Sequence, residues 1–406
     1  MSPEAAEYVA AFLTDSLGLA QGALPPGQVP SDLAELLVAA LSGREDSASD
    51  QPILEQKIQA FLGQFEEATL DRRGYLLRKA RWPGGASYAA CLTHDVDNLS
   101  RPMGHIVKIR GRFSAADFWL SLLGLRSLYD NLAYTAALEE SRNLRSSFYF
   151  LSSNYDLSKI SARVRRLSEG GWDMGLHGDF GTHDSAEKMA AAVAAFKEKT
   201  GLTPRGLREH FLQFDYAKTW GIIDAQGFEY DTSVGNRDRL GFRLGLCTPF
   251  HPPDSHWRPM RSIELPLVLM DTTLWGYLKR TEEEGMRDFS SLRERVRQVE
   301  GLYTVLWHQE AMRMKGGRLY PLMLDALVKD GCFVAPGAVL AKWWRERSAP
   351  MQLGEKELSM DTAPAGLRLR FKAKEEMRLS LGGGLETKAI ETVVRAPAGA
   401  LRLRVS

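Results

Sequence analysis

Short apolar runs alternate with amphipathic segments through the middle of the chain. The apolar runs predict strands, and the segments between them, with apolar residues three to four positions apart, predict helices. Strand–helix alternation repeated this often predicts a parallel sheet, and seven or eight repeats favour a closed (β/α) barrel. The predicted strands are 88–95, 146–151, 173–178, 206–210, 228–234, 262–270, 302–308 and 331–336, and the predicted helices are 156–169, 184–200, 215–226, 285–300 and 317–329.

Two segments of different pattern flank this barrel. Residues 1–85 carry apolar stripes at helical spacing and predict a helical N-terminal module. Residues 346–406 contain runs that alternate with a period of two and predict a small antiparallel β appendage with one face in water. The barrel itself is predicted to span residues 86–345, with an insertion rich in Trp, Leu and Tyr at about residues 99–144. We therefore predict an α/β protein of three parts.

Composition narrows the function classes. Of 406 residues, 44% are hydrophobic and 25% charged, which is typical of a globular protein. Lys and Arg (52) nearly balance Asp and Glu (51), so the overall charge does not favour nucleic acid as a partner. The three cysteines have no paired spacing, which argues against a thiolate metal site.

The N-terminal segment predicts an amphipathic helix and not a signal peptide. It has no leading basic residues, and no segment of the chain approaches the ~20 apolar residues needed to span a bilayer. We therefore predict a cytoplasmic protein without a transmembrane segment, whose helical N-terminal module offers a surface to a partner or a second copy.

The first predicted strand of the barrel ends in a pair of carboxylates. Its apolar run, residues 88–93, is followed closely by Asp95 and Asp97. The two side chains project to the same face, because residues in a strand alternate with a period of two. Two carboxylates at the end of a buried strand repel each other, and a divalent cation is the usual compensation.

Polar residues end the other predicted strands as well. In a (β/α) barrel these positions converge on one face, whatever their separation in sequence. A convergent set of Asp and His side chains, with no usable Cys, predicts Zn²⁺ or another divalent ion bound by nitrogen and oxygen. The residues are His94, Asp95 and Asp97, then His177 and Asp179 with His183 further along the loop, then Arg208, Glu209 and His210, then Asp231, and finally His308 and Glu310.

These motifs resemble those of the NodB-homology polysaccharide deacetylases, or carbohydrate esterase family 4, in the variant with Asp-x-Asp in its first motif. The similarity runs from about Tyr88 to Pro336. It implies a distorted barrel of seven or eight β/α units that carries a metal-dependent hydrolase. Each motif alone is weak, but five in order at successive strand ends are a strong signal.

The resemblance also implies a role for each matched residue. In Thr93-His94-Asp95-Val96-Asp97 it makes Asp95 the general base and Asp97 a metal ligand. His177, within Gly175-Leu176-His177, is implied as the metal-binding histidine of the second motif. The remaining implied roles are an arginine that pairs with the base for Arg208, an aspartate that positions this arginine for Asp231, and the general acid for His308 in Leu306-Trp307-His308.

One position departs from the pattern of that family. The second motif usually has another histidine four residues after the first, and here that position is Gly181. His183 is the nearest histidine in sequence, and we predict it as the third protein ligand. Asp179 and His94 are weaker substitutes. The metal site is therefore expected to be looser than usual, or to bind a different ion.

The implied reaction is removal of an N-acetyl group from an amino sugar in a polysaccharide or a glycan precursor. A water activated by the ion would lose its proton to Asp95 and attack the amide carbonyl, and His308 would protonate the leaving amine. Two alternatives stay open. The same fold could hydrolyse another C–N bond, or the loss of the histidine at position 181 could mark a degraded enzyme that serves as a glycan-binding or scaffold protein.

Some polar and aromatic residues have simpler interpretations. His210 is either a core histidine or a substrate contact, and Asp271 is interpreted as a loop group near the site. Trp119, Trp257 and Trp275 could stack against sugars, although core packing is the commoner role of such residues.

Overall fold

A computed structural model describes residues 1–44, 48–382 and 385–406. Residues 45–47 of the predicted helical module and residues 383–384 of the predicted β appendage lie outside the described residues.

The first part of the chain is helical, as predicted, except for one strand. Its elements are α1 (Pro3–Leu17), α2 (Ser31–Leu41), α3 (Ile53–Arg73) and β1 (Tyr75–Lys79). The Ser2 hydroxyl caps α1 by accepting a hydrogen bond from the Ala5 amide. The strand β1 lies within the segment predicted as helical, and it forms because residues 75–79 pair with a strand near the C-terminus. Local periodicity carries no information about so distant a partner.

The apolar faces of α1, α2 and α3 are buried within the chain. Leu13, Leu37 and Ile58 belong to one hydrophobic cluster with Trp220 and Phe250 of the barrel region. A contact of this module with a partner or a second copy would therefore have to use other surfaces.

The middle of the chain alternates strands and helices, as predicted. Its elements are β2 (Ala89–Val96), α4 (Met103–Lys108), α5 (Ala115–Leu122), α6 (Leu132–Glu140), β3 (Ser147–Phe150), α7 (Ser161–Glu169), β4 (Asp173–Gly178), α8 (Ala186–Thr200), β5 (Gly206–Glu209), α9 (Thr219–Ala225), β6 (Tyr230–Asp231), β7 (Ile263–Glu264), β8 (Leu267–Met270), α10 (Glu282–Gln298), β9 (Leu302–Leu306), α11 (Leu319–Lys329), β10 (Phe333–Val334) and α12 (Gly337–Arg347). The insertion predicted after the first strand contains α4, α5 and α6.

These strands form a parallel sheet that curls into a distorted barrel, which confirms the predicted fold class. Within the described residues the sheet has nine strands in the order β7-β6-β5-β4-β3-β2-β9-β8, with β10 beside β2. The edge strands β7 and β8 are joined directly by residues 265–266, and the Leu267 amide donates a hydrogen bond to the Val234 carbonyl that follows β6. All strands run the same way, so their carboxyl ends open at one end of the barrel.

The predicted β appendage is an antiparallel sheet. Its strands are β11 (Gln352–Leu353), β12 (Glu357–Ala363), β13 (Arg368–Leu381), β14 (Leu385–Arg395) and β15 (Gly399–Val405), and β1 joins them at β13. Leu369, Phe371 and Leu403 share a hydrophobic cluster with Tyr230 of the barrel and Trp344 of α12. The appendage is therefore packed onto the barrel. Among the helices of the described ranges, none combines the length and the apolar character needed to cross a membrane.

Candidate metal and catalytic site

The polar residues that end neighbouring strands lie together around one cavity of about 280 Å³. Because β2, β4, β5, β8 and β9 are parallel, their carboxyl ends meet at this mouth of the barrel. Of the predicted site residues, Asp95, Asp97, His177 and His308 line the cavity. The polar residues that line it without a predicted catalytic or metal-binding role are Arg112, Glu209, His210, Arg237, Asp271, Thr272, Tyr277 and Glu310.

Asp97, His177 and His210 form a group that can hold a metal ion. One ligand atom of each lies within 4.8 Å of the others. The Nε2 atom of His177 is 3.2 Å from Oδ1 of Asp97 and 3.0 Å from Nδ1 of His210. Oδ1 of Asp97 is buried and has no hydrogen-bond partner among the described residues, as suits a ligand atom. Two imidazole nitrogens and a carboxylate oxygen are a donor set that Zn²⁺ and related divalent ions accept.

The hydrogen bonds of His177 direct Nε2 towards this group. Its Nδ1 is 2.7 Å from the Arg208 carbonyl, which can only accept, so Nδ1 carries a proton and Nε2 is free to bind a metal when the ring is neutral. Burial lowers the pKa of His177, but the charges of Asp95 and Asp97 raise it above its usual value. Burial raises the pKa of Asp97, but the close contact with His177 and the charge of that ring hold it well below its usual range. Burial, together with the charge of His177, lowers the pKa of His210.

A sharp turn directly after β5 positions His210. Phe211 and Leu212 have φ angles of 58° and 53°, in the left-handed region. This conformation costs about 1–2 kcal/mol for each residue that is not glycine. The turn leaves the His210 ring perpendicular to that of His177, with an interplanar angle of 89°.

His183, the predicted third ligand, is not part of this group. Its carbonyl accepts a hydrogen bond of 2.8 Å from the Thr219 hydroxyl, which ties the loop to α9. Gly181 has a φ of 80°, and a Cβ there would lie 2.6 Å from Nζ of Lys188. A histidine at position 181 would therefore be strained in this loop. The structure places His210, and not His183, beside the other two side chains.

Asp95 projects into the cavity beside the metal-capable group. Its Oδ2 is 3.5 Å from Nε2 of His177, and its Oδ1 is 3.8 Å from Nη1 of Arg208. Arg208 is fully buried, and its Nη2 donates hydrogen bonds to the hydroxyls of Thr93 (3.1 Å) and Thr232 (3.0 Å). The guanidinium is thus fixed as a positive charge behind the carboxylate.

Asp231 lies on β6, next to the strand that carries Arg208. It accepts hydrogen bonds from the hydroxyl (2.6 Å) and the amide (3.2 Å) of Ser233. Burial raises the pKa of Asp231 and of its neighbour Glu264, and the Glu264 carboxyl hydrogen-bonds to it. The charge of Arg208 acts on Asp231, but within the described residues no direct hydrogen bond joins the two. The hydrogen bonds of the guanidinium go to the hydroxyls of Thr93 and Thr232.

His308 is held by a carboxylate on the neighbouring strand. Its Nδ1 is 2.6 Å from Oδ1 of Asp271, and its amide donates to Oδ2 of the same residue at 3.0 Å. Its Nε2 is 3.8 Å from Oδ2 of Asp97. Burial lowers the pKa of His308, but the charge and hydrogen bond of Asp271, with the charges of Asp97 and Asp95, raise it well above its usual value. The ring can therefore carry a proton at Nε2 and donate it.

Two further carboxyl groups line the cavity. Burial raises the pKa of Glu209 to about 8 and that of Glu310 to about 7. One oxygen of Glu209 accepts a hydrogen bond of 2.6 Å from the Thr182 hydroxyl. Its other oxygen and Oε2 of Glu310 are buried without a partner among the described residues. Near neutral pH, these carboxyls can donate as well as accept a hydrogen bond.

Sequence reasoning missed the metal-binding capacity of His210 and the contact of Asp271 with His308. The available signal for His210 was its position in a run of three polar residues at the end of a buried strand. Asp271 likewise follows directly after β8. Their partners lie on other strands, so only the assembled sheet reveals the contacts.

Other residues considered from sequence have different surroundings. His94 is fully buried, with Nε2 2.8 Å from Oε1 of Glu139 and Nδ1 2.6 Å from the Trp307 carbonyl, and so does not face the cavity as a ligand. Aromatic rings at the cavity belong to Phe211 and Tyr277. The tryptophans considered for sugar stacking do not line it; they are Trp119, Trp257 and Trp275.

The fold and the side chains define a (β/α) barrel with a histidine- and aspartate-rich site at the carboxyl ends of its strands. Comparison with protein-family models gives no match. Comparison with curated proteins likewise gives no match.

Three solved structures are similar to this chain over about two thirds of its length. A protein described as a polysaccharide deacetylase from Mycobacterium smegmatis has 17% identity and a TM-score of 0.48, over 67% of this chain and 96% of that chain. An allantoinase has 16% identity and a TM-score of 0.47, over 66% and 93%. A protein described as a polysaccharide deacetylase from Pseudomonas aeruginosa has 16% identity and a TM-score of 0.47, over 66% and 94%.

Proposed function

We propose that this protein is a metal-dependent hydrolase that removes N-acetyl groups from an amino sugar in a polysaccharide or a glycan precursor. The observation that carries this proposal is the arrangement around one cavity. Asp97, His177 and His210 offer a metal site, with the Asp95 carboxylate next to His177 and the His308 ring next to Asp97. Hydrolysis of an amide requires an electrophile, a base and an acid within reach of one carbonyl group.

The donor set fits a divalent ion such as Zn²⁺. Asp97 would contribute its buried oxygen, His177 its Nε2 and His210 its Nδ1. When bound, such an ion supplies Lewis acidity, which makes water easier to deprotonate and polarises an amide carbonyl. His210 compensates for the absence of a histidine at position 181, and this favours an active enzyme over a degraded one.

Asp95 acts as the general base. It takes a proton from the attacking water, and the guanidinium of Arg208, 3.8 Å away, stabilises the carboxylate in position. The hydroxyls of Thr93 and Thr232 hold that guanidinium and keep it from turning into the cavity. Arg208 and its partners are thus positioning residues.

His308 acts as the general acid. Its Nδ1–H is committed to Asp271, so the proton at Nε2 is the one that can pass to the leaving amine nitrogen. The carboxylate of Asp271 stabilises the charged ring before the transfer and fixes its orientation. Breakdown of the tetrahedral intermediate then releases acetate and the free amino sugar.

The cavity suits a single sugar unit. Its volume of about 280 Å³ is just below the range of about 300–1,000 Å³ found for pockets that bind drug-sized ligands. Exposed rings of Phe211 and Tyr277 at its edge offer apolar faces to a sugar ring. Glu209 and Glu310 offer hydrogen bonds to its hydroxyl groups.

The test combines metal content with acetate release. Protein loaded with Zn²⁺ is dialysed, its metal is measured by mass spectrometry, and acetate is measured after incubation with N-acetylglucosamine oligomers. We expect His210→Ala to lose both the ion and the activity, and the matched control His183→Ala to keep both. We expect His308→Gln to keep the ion and lose the activity.

Two outcomes would contradict this proposal. If His210→Ala retained the ion while His183→Ala lost it, the metal site would be assigned to the wrong histidine. If the metal-loaded protein released no acetate from any N-acetylated sugar but hydrolysed another amide, the proposed substrate class would be wrong.

A further inference from the structure

The insertion between β2 and β3 carries an exposed apolar surface. Trp119, Leu123 and Leu125 are 63%, 70% and 73% exposed. The helix α5 (Ala115–Leu122) contains no buried residue, although most of its side chains are apolar. We call this surface the insertion patch; it consists of Met103, Val107, Trp119, Leu122, Leu123 and Leu125. Exposed apolar side chains grouped within one short stretch of the chain mark an interaction site.

The insertion patch belongs to a folded unit with its own small core. Ile106, Phe113, Leu128 and Tyr129 of the same insertion are buried together in one hydrophobic cluster. The unit is attached to the barrel beside the site, because the Lys315 amide donates a hydrogen bond of 2.7 Å to the Arg112 carbonyl. The patch is therefore carried by a folded element that contacts the barrel.

The charge around the insertion patch is strongly positive. Residues 99–126 contain five Lys or Arg and one Asp, whereas the whole chain has a net charge of +1. The aspartate, Asp117, pairs with Arg126. Within the described residues no ion pair involves the other cations, which are Arg101, Lys108, Arg110 and Arg112. Exposed apolar side chains flanked by unpaired cations are typical of elements that lie in the interface of an anionic membrane.

We propose that the insertion patch docks this protein onto an anionic lipid surface. Its apolar side chains would enter the boundary between headgroups and acyl chains, and the four cations would contact lipid phosphates. A second copy of the chain fits less well, because a symmetric contact would bring the same unpaired cations face to face. Arg112 also lines the catalytic cavity, so docking brings the mouth of that cavity close to the lipid surface. Docking does not depend on the reaction proposed above and is tested without it.

The experiment is sedimentation of the full chain with vesicles of phosphatidylcholine, alone or mixed with phosphatidylglycerol. We expect binding to the mixed vesicles that weakens at high salt. Replacing Trp119 and Leu123 by serine together should weaken binding about tenfold or more, since each removes an inserted apolar side chain. Replacing Lys108 and Arg110 by alanine together should weaken it about 30-fold.

Matched controls separate the patch from general surface effects. Leu322 is 51% exposed but lies outside the insertion, and Arg402 is an exposed cation of the appendage. Leu322→Ser and Arg402→Ala should bind like the unmodified protein. Absence of binding to the mixed vesicles, or equal binding by patch and control variants, would overturn the proposal. So would a patch variant that dissociates a dimer in sedimentation velocity while vesicle binding stays unchanged, since the patch would then belong to a second copy.

Discussion

The carboxylate of Glu139, which belongs to the insertion, is predicted to stabilise both the fold and the strand ends that carry the candidate site. Glu139 lies at the end of α6 and is fully buried. Its carboxylate has four partners, each within hydrogen-bond distance: His94 Nε2 (2.8 Å), Tyr320 OH (2.6 Å), Ser146 Oγ (2.8 Å) and Trp172 Nε1 (2.7 Å). Hydrogen bonds to a charged group contribute about 1.5–3 kcal/mol each.

We expect Glu139→Leu to lower the free energy of unfolding by about 3–5 kcal/mol, the usual cost of removing one partner from a buried charged network. Leucine has a similar volume, so unpaired donors, rather than an empty cavity, account for the loss. The matched control is Glu140→Leu, because the neighbouring Glu140 is exposed and pairs with Arg145 at the surface. Exposed ion pairs of this kind contribute at most about 1 kcal/mol.

The same substitution should also disturb the site. His94 precedes Asp95 in the chain, and its Nδ1 donates to the carbonyl of Trp307, which precedes His308. The network of Glu139 thus joins the ends of β2 and β9, from which the proposed base and acid project. Urea denaturation followed by tryptophan fluorescence measures the first effect, and the kcat for acetate release measures the second. Equal losses of stability in the Glu139 and Glu140 variants would refute the reasoning.

Three further predictions concern charge and backbone. Asp271→Asn removes the main charge that raises the pKa of His308, so the alkaline limb of the pH profile of kcat/KM should move to lower pH by about 1–3 pH units; an unmoved limb would exclude His308 as the acid. Burial raises the pKa of Glu264 beside Asp231 above the ordinary glutamate pKa of 4.5. Above pH 4.5 the Glu264 carboxyl therefore keeps its proton in the folded protein, whereas the unfolded chain loses it. Stability should therefore fall as pH rises from that value through the folded-state pKa, and Glu264→Gln should flatten this slope in denaturation experiments at several pH values. Gly63→Ala, in α3 where the added Cβ meets open space, should stabilise the fold by about 0.5–1 kcal/mol in thermal unfolding, and a loss would contradict the helical geometry there.

Much of the fold was predictable because its signals are local. The strand predicted at 173–178 coincides with β4, and the helix predicted at 184–200 coincides with α8 within two residues. Parallel strands that are covered on both faces leave continuous apolar runs in the sequence. The strand β1 was not predictable in this way, since it forms only through pairing with β13.

The part of the candidate site that stands at the carboxyl ends of predicted strands was predictable. Asp95, Asp97, His177 and His308 line one cavity because the carboxyl ends of parallel strands converge. The third ligand-capable side chain was not predictable from spacing within one loop. His210 reaches Asp97 and His177 from the adjacent strand, through a turn in left-handed conformation that no residue pattern indicates.

By itself, the sequence determined the order of strands and helices, the parallel barrel and the chemical types of side chain at its open end. Each of these follows from the spacing of hydrophobic residues within a segment and from the order of the segments along the chain. Both can be read from residues that are neighbours in sequence. Only the tertiary structure decided that His210 rather than His183 lies beside Asp97, that Asp271 holds His308, and that the insertion turns apolar side chains outward. Such contacts depend on how far the sheet curls and on where separate elements approach each other. A few ångströms in that packing decide which side chains meet, and the linear pattern does not encode distances of that kind.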